Sequence, residues 1–204
     1  MSTPEAVVLD LGDVLIRWEP QRAIAAAVGE EEASRFLAAQ DFDFHAWNHQ
    51  QDAGRPWPEA EAAAGRTHPH WEAHVLAYRA NFALAVEHPV PGTAAIAERL
   101  HAAGVPLFGL TNWSAELFPV ARERHPVLGL FDDIVVSGEE GLAKPAPEIF
   151  EVLATRAGRP LERCVYVDDS VRNVEAGARA GLDAIVFTGA ERLRIDLRSR
   201  GLPV

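Results

Sequence analysis

The chain has 204 residues with 19 basic and 30 acidic side chains, a formal net charge of −11 and a hydrophobic fraction of 48%. That length and apolar content accommodate one large domain or a core with an inserted unit. The acidic excess argues against a nucleic-acid partner, which asks for a basic face, and no apolar run approaches the ~18 residues needed to cross a bilayer. In chain order, Val7-Val8-Leu9 reads as a buried strand ending in Asp10 rather than as a secretory leader. Residues 18–88 are Ala-rich and strand-poor and break near Gly29, near Gly54 to Pro58 and at His68-Pro69, which predicts helical pieces folded as a small bundle over the sheet. Residues 93–103 place Ile96, Ala97 and Leu100 on a helical face and stop at Gly104. The strand Leu107-Phe108-Gly109-Leu110 follows, then a helix from about Ser114, a plausible N-cap.

Ile134-Val135-Val136 is a further strand, and a glycine-containing loop leads from it to Lys144. Pro147 suits the first turn of a helix whose apolar face is Ile149, Phe150, Leu153 and Ala157, closed by Gly158. A strand over 164–167 leads to Ser170 as N-cap, with Val171, Val174 and Ala178 on one helical face and Gly181 as the stop. A strand over 184–187 and a charged helix end the chain. Cys164, the one cysteine, heads an apolar strand and reads as a small buried hydrophobe. Strand–helix–strand repetition predicts an α/β fold with a doubly wound, Rossmann-like parallel sheet. Its core is expected over residues 1–15 and 89–204, with residues 16–88 as a small inserted helical domain.

Polar segments follow four of these strands: Asp10-Leu-Gly-Asp13, Thr111-Asn112, Lys144-Pro145 and Asp168-Asp169-Ser170. Groups placed after strands of one parallel sheet converge on a single crevice. A carboxylate, a hydroxyl, a lysine and paired acids in that order are the parts for phosphoryl transfer through an aspartyl intermediate with a divalent metal. Asp10 ends an apolar strand, where a charge needs a partner. Asp168 and Asp169, about 4 Å apart, would repel by roughly 4 kcal/mol at an effective dielectric of 20. Together with Asp10 they ask for a hard cation such as Mg²⁺. Thr111 and Asn112 offer a hydroxyl and an amide to a phosphoryl oxygen, although Thr-Asn is also ordinary turn chemistry. Asp13, after Gly12 in a tight turn, reads as structural. His70 and His74 are four apart on a helix, but with no third ligand in view they read as a solvated face.

This order of segments resembles the haloacid dehalogenase-like (HAD) hydrolase superfamily, and the match runs through nearly the whole chain. The resemblance implies that Asp10 is the nucleophile and that Lys144 contacts it and the bound phosphoryl group. It implies that Asp169 is the firmer metal ligand and Asp168 the second, beside Asp10 and the backbone carbonyl of Gly12, with Asn173 in support. It also makes the inserted helices a cap. Trp47, Asn48, His49, Asp52, Arg55 and Trp57 fall within a dozen residues there; Trp47, Asp52 and Arg55, with Trp113 beside Thr111-Asn112, are the expected substrate contacts.

The sequence departs from the family pattern at Gly12, where phosphatases of this family usually carry a second aspartate that protonates the leaving group. General acid–base help is worth ~10²–10⁴-fold, or about 3–5 kcal/mol. The expected activity is therefore Mg²⁺-dependent hydrolysis of small phosphorylated metabolites with good leaving groups, a sugar phosphate being preferred. His45, His49 and Asp52 are candidate substitute proton donors. Two alternatives stand beside it. One is a metal-independent 2-haloacid dehalogenase, whose halide leaves unprotonated but whose pattern generally lacks the paired acids. The other is a non-catalytic binding protein. A cytoplasmic protein, monomer or homodimer, with neither nucleic-acid nor membrane partner is expected.

Overall fold

Five short strands, β1 (Ala6–Leu9), β2 (Leu107–Thr111), β3 (Asp133–Val136), β4 (Cys164–Asp168) and β5 (Asp183–Val186), pair in parallel in the order β3-β2-β1-β4-β5. The protein is described from a computed structural model over residues 3–204. The three central strands are buried along their whole length, as a parallel sheet covered on both faces requires. Period-two alternation divides their side chains between two apolar clusters. Val7 and Leu9 join one with Leu107, Val165 and Ile185, whereas Ala6 and Val8 join the other with Phe108, Leu110 and Tyr166.

Six helices lie between β1 and the approach to β2: α1 (Pro20–Val28), α2 (Glu30–Leu37), α3 (Phe44–Asp52), α4 (Trp57–Thr67), α5 (Glu72–Ala80) and α6 (Phe82–Ala85). Asp43 caps α3 by accepting a hydrogen bond from the Ala46 amide at 2.9 Å. The Ala-rich helices bury interlocked aromatic rings, Trp47 against Trp57 at 5.4 Å and Phe44 against Tyr78 at 5.0 Å between centroids. Their apolar cluster is continuous with one face of the sheet, so these helices share a core with it rather than forming a bundle sealed on itself.

The remaining helices are α7 (Thr93–Ala102), α8 (Phe118–Arg124), α9 (Ser137–Glu140), α10 (Pro147–Ala157), α11 (Val171–Arg179) and α12 (Ala190–Ser199). α7 and α12 pack on the sheet face that the inserted helices also reach; α10 and α11 cover the other. Among the described residues, no helix is long and apolar enough to cross a membrane.

Three local expectations need correction. The helix expected from Ser114 begins at Phe118, because a turn intervenes in which the Ser114 carbonyl accepts from the amides of Leu117 and Phe118. In α11 the buried residues are Val174, Ala176 and Gly177, while Val171 is 55% exposed and Ala178 is exposed. The cause is Tyr166: a Cβ at position 177 would lie 2.5 Å from its ring, so α11 turns its smallest residue toward the tyrosine. Ser170 is the N-cap of α11 as expected, its carbonyl accepting from the Asn173 and Val174 amides while its side chain makes no cap bond. His74 is buried between the Phe36 and Trp71 rings rather than solvated, while exposed His70 lies 2.8 Å from Asp41.

Candidate active site

Parallel register brings the polar segments to one edge of the sheet. Leu9 pairs with Val167 and with Gly109, so Asp10, Thr111 and Asp168 all emerge at the carboxyl ends of neighbouring strands. The amide of Asp10 still donates to the Val167 carbonyl at 2.8 Å, which fixes where its side chain starts. Lys144 enters from the loop after α9, and its side chain runs inward until it is only 1% exposed as a residue.

The Lys144 ammonium has three protons and three acceptors. It donates to the Leu110 carbonyl at 2.7 Å and to Asp168 Oδ2 at 2.7 Å, and stands 2.9 Å from Asp10 Oδ1. Asp10 Oδ1 also accepts from the Leu11 amide at 2.7 Å. Among the described residues no donor engages Oδ2, which is left for an incoming group.

Asp168 is occupied far more fully than the sequence implied. Its Oδ1 accepts from the Ser170 amide at 2.8 Å and from Asn173 Nδ2 at 3.1 Å. Its Oδ2 accepts from Lys144 Nζ, from the Tyr166 hydroxyl at 2.5 Å and from Asn173 Nδ2 at 3.2 Å. A carboxylate offers about four lone-pair positions, and this one is surrounded and fully buried. Its geometry fits an anchor for Lys144 better than a metal ligand with a coordination site to spare. Tyr166 went unnoticed in the sequence, yet a residue two before Asp168 on a strand shares its face.

Asp10, Asp168 and exposed Asp169 each place one carboxylate oxygen within 4.8 Å of the others. Three carboxylates thus face one ammonium. Burial pushes the Asp10 carboxyl up to about 8, with the Asp168 charge adding to the rise and Lys144 opposing it. Burial also acts against ionisation of Asp168, but the Lys144 charge and the donors from Lys144, Tyr166 and Ser170 outweigh it and hold this carboxyl below its usual range. Asp169 is raised by burial and by the Asp168 charge. Burial opposes the charge on Lys144, and Asp10 and Asp168 override it to keep the amine protonated. Burial and the neighbouring carboxylates thus favour the protonated form of Asp10, and a cation at this position would favour its carboxylate. Hard oxygen donors with excess negative charge fit Mg²⁺: the free oxygen of Asp10 and the carboxylate of Asp169.

Asn112, expected to contact a phosphoryl oxygen, spends its amide on the Lys144 backbone. It accepts from the Lys144 amide at 2.8 Å and donates to the Lys144 carbonyl at 2.9 Å. Thr111 is buried at the end of β2. Asp13 has φ of 53° and accepts from the Trp18 amide at 3.0 Å, holding the chain's turn after Gly12. A Cβ at position 12 would meet no atom within 4 Å, so a glycine there is not demanded by crowding at that atom.

A cavity of about 290 Å³ lies between the sheet edge and the inserted helices. It is walled by Gly12, Asp13 and Asn112 below, by Trp18, Trp113, Ser114 and Leu117 at the side, and by His45, Asn48, His49, Asp52, Trp57, Tyr78 and Phe82 from the helices. The junction is tight. Trp57 Nε1 donates to Ser114 Oγ at 2.7 Å, and a Cβ on Gly54 would stand 3.2 Å from Gly141 Cα.

Of the expected substrate contacts, Asp52, Asn112 and Trp113 line this space, while Lys144 and Thr111 lie outside its lining, at the sheet edge. Trp47 does not line it; it is buried among Phe42, Phe44 and Trp57. Arg55 also lies outside it, bonded to Gln50 and to the Glu59 carbonyl. Trp18, Tyr78, Phe82, Ser114 and Leu117 were missed, because no local spacing joins them. Burial raises the Asp52 carboxyl to about 7, against donors from Ser114 and Asn48.

Comparison with known proteins identifies a family for this fold. A family model described as haloacid dehalogenase-like hydrolase matches residues 4–181. A sesquiterpene phosphatase of Aspergillus oryzae is 24% identical over 207 residues, covering 97% of this chain and 96% of that protein. A probable pseudouridine-5'-phosphatase of Drosophila melanogaster is 32% identical over 129 residues, covering 57% of this chain and 54% of that protein. A HAD-family enzyme of Bacteroides thetaiotaomicron, solved as its magnesium complex, shares the fold with a TM-score of 0.74 at 20% identity, covering 97% of this chain and all of that one.

Proposed function

Because the chain belongs to the haloacid dehalogenase-like hydrolases, we propose that it hydrolyses phosphate monoesters with Asp10 as nucleophile and Mg²⁺ as cofactor. The observation that carries this reading is the asymmetry of Asp10, whose Oδ1 is held by Leu11 and Lys144 while Oδ2 stays free. The names of the fungal and insect relatives, both phosphatases, support it. In this reading Asp10, Asp169 and the Gly12 carbonyl would hold Mg²⁺, which supplies positive charge to offset that of the phosphoryl oxygens.

Asp10 Oδ2 attacks phosphorus, the bond from phosphorus to the ester oxygen breaks, and an aspartyl phosphate forms on Asp10. Lys144 holds Asp10 in orientation, favours its ionised form against the opposing effect of burial, and offsets charge as it develops, while Asp168, Tyr166 and Asn112 keep Lys144 in place. Water then attacks phosphorus and releases phosphate and the Asp10 carboxylate. With no side chain at position 12, the leaving oxygen needs another proton source. Asp52 lines the same cavity as Gly12 and binds a proton up to about pH 7, which makes it the group of this chain suited to supply it. Residues 16–88 serve as the cap that closes this space, and the paired acids Asp168 and Asp169 weigh against a metal-independent dehalogenase.

The test is phosphate release from p-nitrophenyl phosphate and a panel of esters, with Mg²⁺ and with EDTA, by the wild type and by Asp10→Asn. Turnover that requires the metal and falls at least ~10³-fold in the variant supports the reading. Equal turnover by a folded Asp10→Asn protein overturns the nucleophile assignment.

A further inference from the structure

The cavity above the sheet edge has a composition that selects among phosphate esters. Trp18, Trp57, Tyr78, Phe82, Trp113 and Leu117 supply its apolar lining, and of these Trp18 is the most exposed. Several of its polar atoms are already committed to one another. Trp18 Nε1 donates to the Tyr78 hydroxyl at 3.0 Å, Trp57 Nε1 to Ser114 Oγ at 2.7 Å, and Asn48 Nδ2 to Asp52 Oδ2 at 2.9 Å. A polyhydroxylated group placed here would find Asn48 Oδ1, Trp113 Nε1, His45 and His49 as its remaining partners, and any hydroxyl beyond their reach would stay unpaired, the costly outcome for a buried polar group. No lysine or arginine lines the space, whereas Asp13 and Asp52 do, so a second anionic group on the substrate meets no countercharge. The volume of about 290 Å³ equals what roughly ten waters fill in the liquid, room for an organic group of about ten heavy atoms.

We infer that the substrate is the phosphate monoester of an uncharged, predominantly apolar alcohol or phenol, whose hydrocarbon part is enclosed by these rings. This runs against the sugar phosphate expected from the sequence, and it rests on the phosphatase reading above. Aromatic walls reward contact area and shape rather than hydrogen-bond pattern. Each methylene removed from water should therefore tighten productive binding by a near-constant factor until the space is full.

The experiment is a series of n-alkyl phosphates from ethyl to dodecyl, each below its aggregation concentration, assayed with Mg²⁺ beside glucose 1-phosphate, phosphoglycolate and p-nitrophenyl phosphate. The inference expects kcat/KM to rise about fourfold per methylene and to level off near ten carbons, with the sugar and the dianionic acid far below. In Trp18→Ala, which opens one wall, the rise per methylene should shrink. A flat or falling series, or glucose 1-phosphate or phosphoglycolate outrunning decyl phosphate, overturns the inference while the phosphatase reading stands. Silence on every ester, p-nitrophenyl phosphate included, overturns that reading and the inference built on it.

Discussion

Lys144 Nζ and Asp168 Oδ2 stand 2.7 Å apart, and neither side chain is exposed to solvent. Such a pair is costly to break because the survivor is stranded in a medium that cannot solvate it. Lys144→Met should destabilise the fold by about 3–5 kcal/mol, seen as a lower urea midpoint, since it strips the countercharge from Asp168 and Asp10 together. Adding Asp168→Asn to it should recover part of that loss. A Lys144→Met protein as stable as the wild type would mean that the buried carboxylates accept protons at no cost.

The two adjacent aspartates are expected to part company on substitution. Asp169 is exposed, whereas Asp168 is enclosed by Lys144, Tyr166, Ser170 and Asn173. Asp169→Asn should abolish Mg²⁺ binding in a calorimetric titration and leave the melting temperature in EDTA undiminished, because a like charge beside Asp168 has been removed. Asp168→Asn should lower that melting temperature, as Lys144 loses its firmest partner. The reverse pattern would make Asp168 the metal ligand.

Gly12→Asp enters open space, with nothing within 4 Å of the added Cβ. If the rest of the machinery is competent, supplying a general acid there should raise kcat on alkyl phosphates by about 10²-fold. The gain on p-nitrophenyl phosphate, whose leaving group needs no proton, should be small. A uniform loss across both substrates would show that the position serves another purpose.

Asp52 carries a stability signature as well as a kinetic one. Its carboxyl is raised from an ordinary value of 3.8 to about 7 by burial. The folded state thus binds this proton more tightly than the unfolded state. The resulting stabilisation is complete below about pH 4 and is lost as pH rises through 7. Asp52→Asn should therefore gain stability relative to the wild type between pH 5 and pH 8, read from urea midpoints at each pH. The same variant should lose turnover on alkyl phosphates more than on p-nitrophenyl phosphate. Parallel pH curves for the two proteins would place Asp52 in water.

The sheet and its edge were legible in the residue order, for a local reason. Val7-Val8-Leu9, Leu107 to Leu110 and Val165-Tyr166-Val167 are apolar runs that only a doubly covered parallel strand can use, and a polar residue after each must surface at the same edge. Asp10, Thr111, Asp168 and their lysine could therefore be named without coordinates. The roles within the edge were not local. Asp168 is surrounded because Tyr166 lies two residues back on its strand, Asn173 reaches it from α11, and Lys144 arrives across the sheet. The cavity was less legible still. Trp47 and Trp57 look alike ten residues apart and both are buried in the core, yet the packing of α3 and α4 brings only Trp57 to the cavity lining. Trp18, Tyr78, Phe82 and Leu117 come from separate segments with no common period. Which aromatic faces a ligand and which faces another ring depends on how the helices cross, and that is settled by close packing among distant residues, which leaves no imprint on spacing along the chain.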